Sequence, residues 1–204
     1  MKYIIEHLEP ELFPWCELEY KNISKIVGKE NLLITRLSEE DLDKLKDYAE
    51  VTTKGTSSMS EIDTPKTCVL DPNAESVLLP SDKDVFDTII LGGILGNEPP
   101  RARTAEELVF TKATRRHLGK EQFPTDNAAY VMNEILTGTP FEKLKFKDHV
   151  EVELDEGEST ILPFRYVLID GKPMISKEVI EILKKEFAFE DLDDDFDNSE
   201  EDNE

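Results

Sequence analysis

Short apolar runs alternate with helical stripes along the first 140 residues. Apolar runs predict four strands, at KYIIEH (2–7), NLLITRL (31–37), KTCVLDP (66–72) and DTIILGG (87–93). A fifth strand is predicted within LVFTKATRRHLG (108–119), where Gly119 would end it in a bend. The segment VTTKGTSSMSE (51–61) has the composition of a turn and no periodicity.

Apolar positions spaced three and four residues apart predict helices. The longest is FPWCELEYKNISKIVG (13–28), with Pro14 in its first turn and Gly28 at its end. Its apolar face consists of Leu12, Cys16, Tyr20, Ile23 and Val27. SEEDLDKLKDYAE (38–50) predicts a short charged helix capped by Ser38.

A third helix is predicted over TDNAAYVMNEILTG (125–138), with Thr125 as its cap and Gly138 as its stop. Its predicted buried stripe is Ala128, Val131, Met132, Ile135 and Leu136. Strands that alternate with helices predict an α/β fold, in which a mostly parallel sheet is covered by helices on both faces.

Ligands in such sheets bind beyond the carboxyl ends of the strands. Three distinctive loops are predicted there, after Leu70, Leu91 and Leu118. Gly92, Gly93 and Gly96 in the second loop allow a ligand to approach the backbone closely, and a side chain at Gly93 would fill that space. The pattern is neither the dinucleotide fingerprint nor a P-loop, and a tight connection without a ligand explains it equally well.

The other two loops favour a ligand. LGKEQFPTDNAA (118–129) runs into a helix N-terminus, which suits a carboxylate or the polar edge of a small molecule. LDP (70–72) supplies a third stretch of backbone. Together the three loops predict a pocket for a flat, polar ligand such as an adenine nucleoside.

The pattern changes from about residue 141. KLKFKDHVEVEL alternates apolar and polar residues, FRYVLIDGKPMIS predicts a hairpin around Asp170 and Gly171, and Ser176 caps a closing helix. We therefore predict a main domain at 1–140, a small α+β extension at 141–189 and a disordered acidic tail at 190–204.

The chain is strongly acidic, with a net charge of −22 over 204 residues. The tail holds ten acids and no base, and the rest still carries 36 acids against 24 bases. Because nucleic-acid binding depends on lysine and arginine at phosphates, this balance favours a basic protein as the partner. Solubility alone is the competing explanation.

The sequence shows no signal peptide and no apolar run long enough to span a membrane. Cys16 and Cys68 fall in different predicted elements, which favours a reducing compartment such as the cytoplasm. The three histidines are scattered, and no metal-binding pattern is present.

Five blocks occur together and in order: KYIIEH, CVLDP, GGILGNEPPRART, RRHLGKEQFPTDNA and LPFRYVLIDGKP. Together they resemble SPOUT-class S-adenosylmethionine-dependent methyltransferases, in particular the group related to a fungal protein arginine methyltransferase that modifies a small-subunit ribosomal protein. The resemblance covers about residues 1–187, apart from 36–66. It implies a trefoil knot in the C-terminal part of the main domain and S-adenosylmethionine bound by the knotted loops.

The resemblance also implies a set of cofactor-binding residues. Mapped onto this chain, they are Leu70, Asp71, Pro72, Leu91, Gly92, Gly93, Gly96, Asn97, Leu118, Gly119, Gln122, Thr125 and Asp126. Asn97 and Ala102 stand where the related pattern GDxPPRDRT has aspartates, so no acid role is assigned to them. Phe123 and Pro124 replace a Met-Thr pair of that pattern.

Methyl transfer to a guanidinium needs carboxylates that orient the group and take its proton. The candidates are Glu6, Glu98 and Asp126. Glu6 is equally explained as a satisfied carboxylate at a strand end. Arg101 is a further catalytic candidate, although it and Arg103 could equally brace the loop. The neighbouring pair of arginines at 115 and 116 is expected to hold loops together.

These observations predict a protein arginine methyltransferase that acts on a basic small-subunit ribosomal protein. The alternative is a SPOUT methyltransferase acting on rRNA or tRNA, which the wider class favours and the net charge opposes. A cofactor-binding module without turnover is a third possibility, which the intact loops oppose. We expect no metal, no membrane, no direct contact with nucleic acid, and either a monomer or a homodimer.

Overall fold

A six-stranded parallel sheet forms the centre of the protein. The computed structural model describes residues 1–96, 103–155 and 158–185. The strands of the sheet are β1 Lys2–His7, β2 Leu32–Thr35, β3 Glu50–Val51, β4 Thr67–Leu70, β5 Thr88–Gly93 and β6 Thr114–Arg116. They lie in the order β3-β2-β1-β5-β4-β6, and all neighbours run parallel. The predicted α/β fold with a mostly parallel sheet is confirmed.

Helices form in the four predicted segments, although the charged one ends at Leu45, earlier than predicted, and the short helix Arg103–Glu107 was not predicted. The helices are α1 Pro14–Val27, α2 Glu39–Leu45, α3 Arg103–Glu107, α4 Thr125–Leu136 and α5 at 177–185. Pro14 occupies the first turn of α1, and Gly28 ends that helix with a φ of 83°. The Ser38 hydroxyl caps α2 by accepting a 3.3 Å hydrogen bond from the backbone N–H of Asp41.

Two details of α4 differ from the prediction. Helical geometry begins at Thr125, so the cap position belongs to Pro124 and not to Thr125. Ala129, and not Ala128, is fully buried on the inner face. Apolar pattern also does not reveal β3, because a two-residue edge strand is too short to show a period.

The two faces of the sheet are covered differently. Helices α1, α2 and α4 pack on the face formed by residues such as Tyr3, Ile5 and Ile34. The opposite face is covered by short 3-10 helices at Thr56–Ser58 and Ser60–Ile62 and by the segment that follows α3. The core on this second face consists of Ile4, Leu8, Leu33, Val69, Ile90 and Leu108.

A second, antiparallel sheet follows the parallel one. Its strands are β7 Phe146–Asp155, β8 Glu158–Ile169 and β9 Lys172–Pro173. The predicted hairpin is confirmed, because Asp170 and Gly171 form its turn with positive φ angles of 51° and 78°. The Ser176 hydroxyl caps α5 by accepting from the backbone N–H of Val179 at 3.2 Å.

The antiparallel sheet packs beside α1 and α4. Its core cluster includes Trp15 of α1 as a partly buried neighbour. Asn127 of α4 accepts from the backbone N–H of Val167 at 3.0 Å and donates to the carbonyl oxygen of Met174 at 3.1 Å. The proposed domain boundary near 140 and the trefoil knot stay predictions. The predicted acidic tail lies outside the described residues.

Candidate active site

The carboxyl ends of β4, β5 and β6 surround a cavity of about 790 Å³. Its walls come from the three loops that the sequence predicts, together with Thr104 after the start of α3 and Ala128 of α4. Cavities of 300–1,000 Å³ at strand ends are typical small-molecule sites. The cavity therefore lies where a ligand of an open parallel sheet is expected.

Most of the predicted cofactor-binding residues line this cavity. They are Leu70, Asp71, Pro72, Leu91, Gly92, Gly96, Leu118, Gly119, Gln122 and Thr125. Gly93 and Asp126 are not among the lining residues, and Asn97 lies outside the described residues. Further lining residues that sequence reasoning misses include Asn73, Glu75, His117, Lys120 and Phe123. These residues belong to the same three loops, so the positions of the loops in the sequence could have identified them.

Asp71 fixes the loop that follows β4. Its carboxylate accepts a 2.6 Å hydrogen bond from Nη1 of Arg115 and a 2.9 Å hydrogen bond from the backbone N–H of Asn73. Arg115 also donates to the carbonyl oxygen of Leu108 at 2.6 Å. Because Asp71 is only 3% exposed, its charge serves the shape of the loop. The expectation that Arg115 holds loops together is confirmed.

Arg116 has the same kind of structural role. It donates to Asp82 at 3.1 Å, and its guanidinium lies 5.4 Å from the ring centre of Phe86. This pairing ties β6 to the 3-10 helix Pro80–Asp84.

His117 and Gly119 shape the loop that follows β6. Nδ1 of His117 accepts a 3.0 Å hydrogen bond from the backbone N–H of Gly119, so the neutral ring carries its proton on Nε2. Gly119 has a φ of 97°, which confirms the predicted bend and disfavours a side chain there. The carbonyl oxygen of Gln122 accepts from the backbone N–H of Arg165 at 2.8 Å, which joins the loop to β8.

Gly93 has a different role from the predicted one. A Cβ at this position would lie 2.0 Å from the hydroxyl oxygen of Tyr20 and 3.0 Å from Cγ2 of Ile5. The missing side chain therefore leaves room for α1 against the sheet, and a side chain added at Gly93 would meet Tyr20 and Ile5 instead of the predicted ligand space. The assignment of Gly93 as a cofactor-binding residue stays a prediction. Gly96 is also tightly packed, because a Cβ there would lie 2.3 Å from Phe164.

Arg103 braces the loop that follows β5. Its guanidinium donates to Glu9 at 2.7 Å, to the carbonyl oxygen of Leu8 at 2.5 Å and to Glu107 at 3.1 Å. Glu9 in turn accepts from the backbone N–H of Leu95 at 2.9 Å. Asn97, Glu98 and Arg101, which precede Arg103 in the chain, lie outside the described residues, so their predicted roles stay predictions.

Glu6 lies at the end of β1, away from the cavity lining. It is 4% exposed, and its carboxylate accepts from the hydroxyl of Thr35 and, at 2.9 Å, from the backbone N–H of Thr56. These contacts agree with the interpretation of Glu6 as a satisfied strand-end carboxylate. Its catalytic role stays a prediction.

Protein carboxylates occupy the N-terminus of α4. Glu19 accepts a hydrogen bond from Nε1 of Trp15 at 2.9 Å, and polar interaction with Thr125, the first residue of α4, lowers its pKa. Asp126 accepts from Asn22 at 2.9 Å and from the side chain and backbone of Asn127. Side chains of the protein therefore lie at this helix terminus, and the expected contact with a carboxylate or the polar edge of a small ligand stays a prediction.

Burial controls the protonation of these two acids. It raises the pKa of Glu19 to about 8, with the nearby charge of Asp126 as the next cause. Burial also raises the pKa of Asp126, against the lowering effect of its hydrogen bonds to Asn22 and Asn127. Glu19 was not a sequence candidate, because a glutamate inside a helix is usually exposed.

A smaller cavity of about 210 Å³ adjoins the large one. Phe123 lines both cavities, and Thr125 in the wall of the large cavity lowers the pKa of Glu19 in the wall of the small one. The complete lining is Trp15, Glu19, Leu95, Phe123, Pro124, Leu162 and Phe164. The arrangement is thus a large cavity for a cofactor next to an aromatic one with a carboxylate.

Two further features are absent from the described ranges. The described part of the chain holds no group of three or more His, Cys, Asp or Glu side chains that is placed to bind a metal ion. None of its helices has the length and apolar character needed to cross a bilayer.

Sequence comparison relates the chain to arginine methyltransferases. A family model described as "Protein arginine N-methyltransferase SFM1-like" matches residues 2–189. Protein arginine N-methyltransferase SFM1 of Saccharomyces cerevisiae is 37% identical over 211 residues, which cover 95% of this chain and 99% of the yeast protein.

Solved structures agree with the sequence match. The yeast arginine methyltransferase SFM1 in complex with SAM has a TM-score of 0.84 and 36% identity, covering 92% of this chain and 91% of that one. Its complex with SAH has a TM-score of 0.82 and 36% identity, covering 90% and 94%. Trm10 of Thermococcus kodakaraensis, at 19% identity and a TM-score of 0.56 over 70% of this chain and 96% of that one, shares the fold alone.

Proposed function

The chain belongs to the SFM1-like family of protein arginine N-methyltransferases, which have the SPOUT fold, and on that premise we propose that it methylates an arginine of a basic small-subunit ribosomal protein. The observation that carries the proposal is the family match over residues 2–189, within which the predicted cofactor loops line a cavity of about 790 Å³. The yeast structures with SAM, SAH and MTA support S-adenosylmethionine as the cofactor.

The residues of the large cavity fit this cofactor. Leu70 ends β4, Leu91 lies in β5 and Leu118 follows β6, and all three line the cavity and offer apolar surface to a flat ring. The loop backbone around Gly92 and Gly119 offers polar groups at close range. When bound, S-adenosylmethionine supplies a methyl group on a positively charged sulfur. The task of the chain is to hold an acceptor nitrogen in line with that methyl carbon.

An arginine acceptor imposes a further requirement. Its guanidinium stays protonated in water, so a carboxylate must orient it and take the proton that methylation releases. The acidic chain also favours encounter with a basic protein, since 36 acids outnumber 24 bases even without the tail. We place the reaction in the cytoplasm, because both cysteines of the chain are free.

The alternative is methyl transfer to rRNA or tRNA. The fold shared with Trm10 is compatible with it, whereas the negative charge opposes binding to phosphates. The arginines at 103, 115 and 116, which could have contacted phosphates, each pair with a carboxylate of the protein.

A direct experiment separates the two substrates. The purified chain is incubated with S-adenosylmethionine carrying a labelled methyl group, together with either small-subunit ribosomal proteins or naked rRNA and tRNA. We expect label on one ribosomal protein, located on arginine by mass spectrometry and blocked by excess S-adenosylhomocysteine. Label on RNA with unlabelled protein would support the alternative. S-adenosylmethionine binding without transfer to either would indicate a module without turnover.

A further inference from the structure

Glu19 and Asp126 are two neighbouring buried acids without a basic partner. Glu19 is 4% and Asp126 7% exposed, and neither forms an ion pair with a lysine, arginine or histidine of the described ranges. Buried acids are usually paired with a cation. This pair is held only by neutral donors, so the site has unmatched capacity for a positive charge.

A second polar group at the same place lacks a partner. Tyr166 of β8 is 2% exposed, and its hydroxyl forms no hydrogen bond with the part of the chain that the structure describes. Tyr166 belongs to the core cluster against which Trp15 and Phe164 pack, and burial, followed by the negative charges of Glu19 and Asp126, raises its pKa. Buried polar groups normally have partners, so this orphan independently indicates that something binds nearby.

The small cavity beside these acids has the chemistry of a cation receptor. Trp15, Phe123 and Phe164 supply aromatic faces, and Glu19 supplies the carboxylate. Aromatic faces attract a cation, and guanidinium is the cation that most often stacks on them. The three aromatic residues are half-buried, so solvent reaches the cavity wall.

The small cavity also lies where an acceptor must lie. It shares Phe123 with the large cavity, and Leu95 in its wall directly precedes Gly96 in the wall of the large one. Nε1 of Trp15 donates to Oε1 of Glu19 at 2.9 Å, and polar interaction with Thr125 lowers the pKa of Glu19. The bond from Trp15 holds one carboxylate oxygen, and the carboxylate keeps further acceptor positions for a ligand.

We propose that the small cavity receives the guanidinium of the target arginine, with Glu19 as its carboxylate partner and Trp15 and Phe164 as its aromatic contacts. This inference rests on the proposed function, which supplies the methyl donor in the adjoining cavity. It makes Glu19 a catalytic residue that touches the substrate, and it makes arginine, with its planar fork of donors, the preferred side chain over lysine.

The chemical step then balances as follows. A bond forms between a guanidinium nitrogen and the methyl carbon, while the bond from that carbon to sulfur breaks and leaves its electron pair on sulfur. The nitrogen releases one proton to the Glu19 carboxylate, which passes it to solvent. The products are a methylated guanidinium that keeps one positive charge, S-adenosylhomocysteine and one proton.

The environment of Glu19 makes this step depend on pH. The titratable groups that interact with Glu19 are Cys16 and Tyr20 of α1, Asp126 of α4 and Tyr166 of β8. All of these groups are neutral or negative near neutral pH, so they favour the protonated form of Glu19 until the guanidinium enters the cavity. Because only ionised Glu19 pairs with arginine, kcat/KM is expected to rise with pH up to about 8, the pKa of Glu19.

The single tryptophan of the chain allows binding to be measured without turnover. Nα-acetyl-arginine amide is titrated into the full-length protein saturated with S-adenosylhomocysteine, and the fluorescence of Trp15 is recorded. We expect a saturable change that is absent with Nα-acetyl-norleucine amide and weaker with Nα-acetyl-lysine amide. Glu19→Gln should abolish it, whereas Glu17→Gln, a change in the partly buried pair with Lys21, should retain it.

Methyl transfer gives the second readout. Glu19→Gln preserves the neutral form that burial favours, so the fold should persist, and we expect kcat/KM to fall by about 100-fold or more and to lose its rise with pH. A Glu19→Gln variant with the wild-type pH profile, or a fluorescence change that survives in it, would overturn the inference. A normal fluorescence response in a wild-type protein that transfers no methyl group would refute the proposed function and the catalytic role of Glu19, and would keep only the binding of a guanidinium in the small cavity.

Discussion

Burial of the Glu19 carboxyl group links the stability of the protein to pH. The usual pKa of 4.5 applies in the unfolded chain, whereas burial and Asp126 raise the folded value to about 8. The folded state therefore holds more protons between these values, and the stabilisation present below pH 4.5 is lost as pH rises towards 8. Asp126 acts in the same direction.

Glu19→Gln should remove this contribution. We expect the free energy of unfolding of the variant to rise relative to wild type by at least about 1.4 kcal/mol between pH 5 and pH 8, the equivalent of one pKa unit. Urea denaturation at a series of pH values measures it, and Glu17→Gln should follow wild type throughout. Parallel curves for wild type and Glu19→Gln would show that the buried acid titrates normally.

Gly93 gives a second prediction for a single residue. An alanine Cβ would lie 2.0 Å from the Tyr20 hydroxyl, so Gly93→Ala should destabilise the fold by about 1–3 kcal/mol through overpacking. Tyr20→Phe removes the clashing oxygen, so the double variant should be less destabilised than the sum of the two single changes. Folded Gly93→Ala protein should still bind S-adenosylmethionine. Strict additivity in the urea experiment would contradict the packing explanation.

The sequence predicts the residues of the large cavity better than those of the small one. Buried strands followed by glycine or proline mark where loops must gather, and Leu70, Gly92 and Gly119 follow that rule. The sequence does not reveal Glu19 as a site residue, because its burial depends on long-range packing against α4 and β8. Its position three residues after Cys16 on the buried face of α1 is the only local signal.

Among the elements, β4 and β6 are joined by the ion pair between Asp71 and Arg115, which determines the shape of the cofactor cavity. Asp71→Asn would remove the charge that pairs with Arg115, and the loop after β4 would lose its anchor. We expect a loss of about 1–3 kcal/mol in stability and about tenfold in affinity for S-adenosylmethionine, by denaturation and calorimetry. Asp84→Asn, at an exposed position, is the matched control. Unchanged affinity in a folded Asp71→Asn variant would contradict this role.

A helix or strand could be predicted from the sequence where a local pattern marks it. Strands β1, β4 and β5 are continuous apolar runs, and α1 has a proline at its start and a glycine at its end, so local pattern suffices. The edge strand β3 has only two residues and is defined by its pairing with β2, and the full length of β8 is defined by its pairing with β7, so a local period reveals neither. The cap of α4 is misassigned because Pro124 precedes a threonine that looks like a better cap.

At the scale of the whole molecule, charge is expected to control encounter with the substrate. A net charge of −22 should accelerate association with a basic protein, and salt screens such attraction over about 10 Å at 0.1 M. We expect kcat/KM for the ribosomal substrate to fall as ionic strength rises, while affinity for S-adenosylmethionine changes little. Removal of residues 190–204 should weaken this salt dependence. Salt-independent kcat/KM would contradict electrostatic steering.

The most direct test of the central claim is the state of the ribosomal proteins in cells. Small-subunit proteins from cells that lack this chain are compared by mass spectrometry with those from cells that express it. We predict that one methylated arginine disappears without the chain, returns with wild type and Glu17→Gln, and fails to return with Glu19→Gln. Retention of every arginine methylation in the absence of the chain, or loss of a methylated nucleoside from rRNA or tRNA instead, would contradict the account.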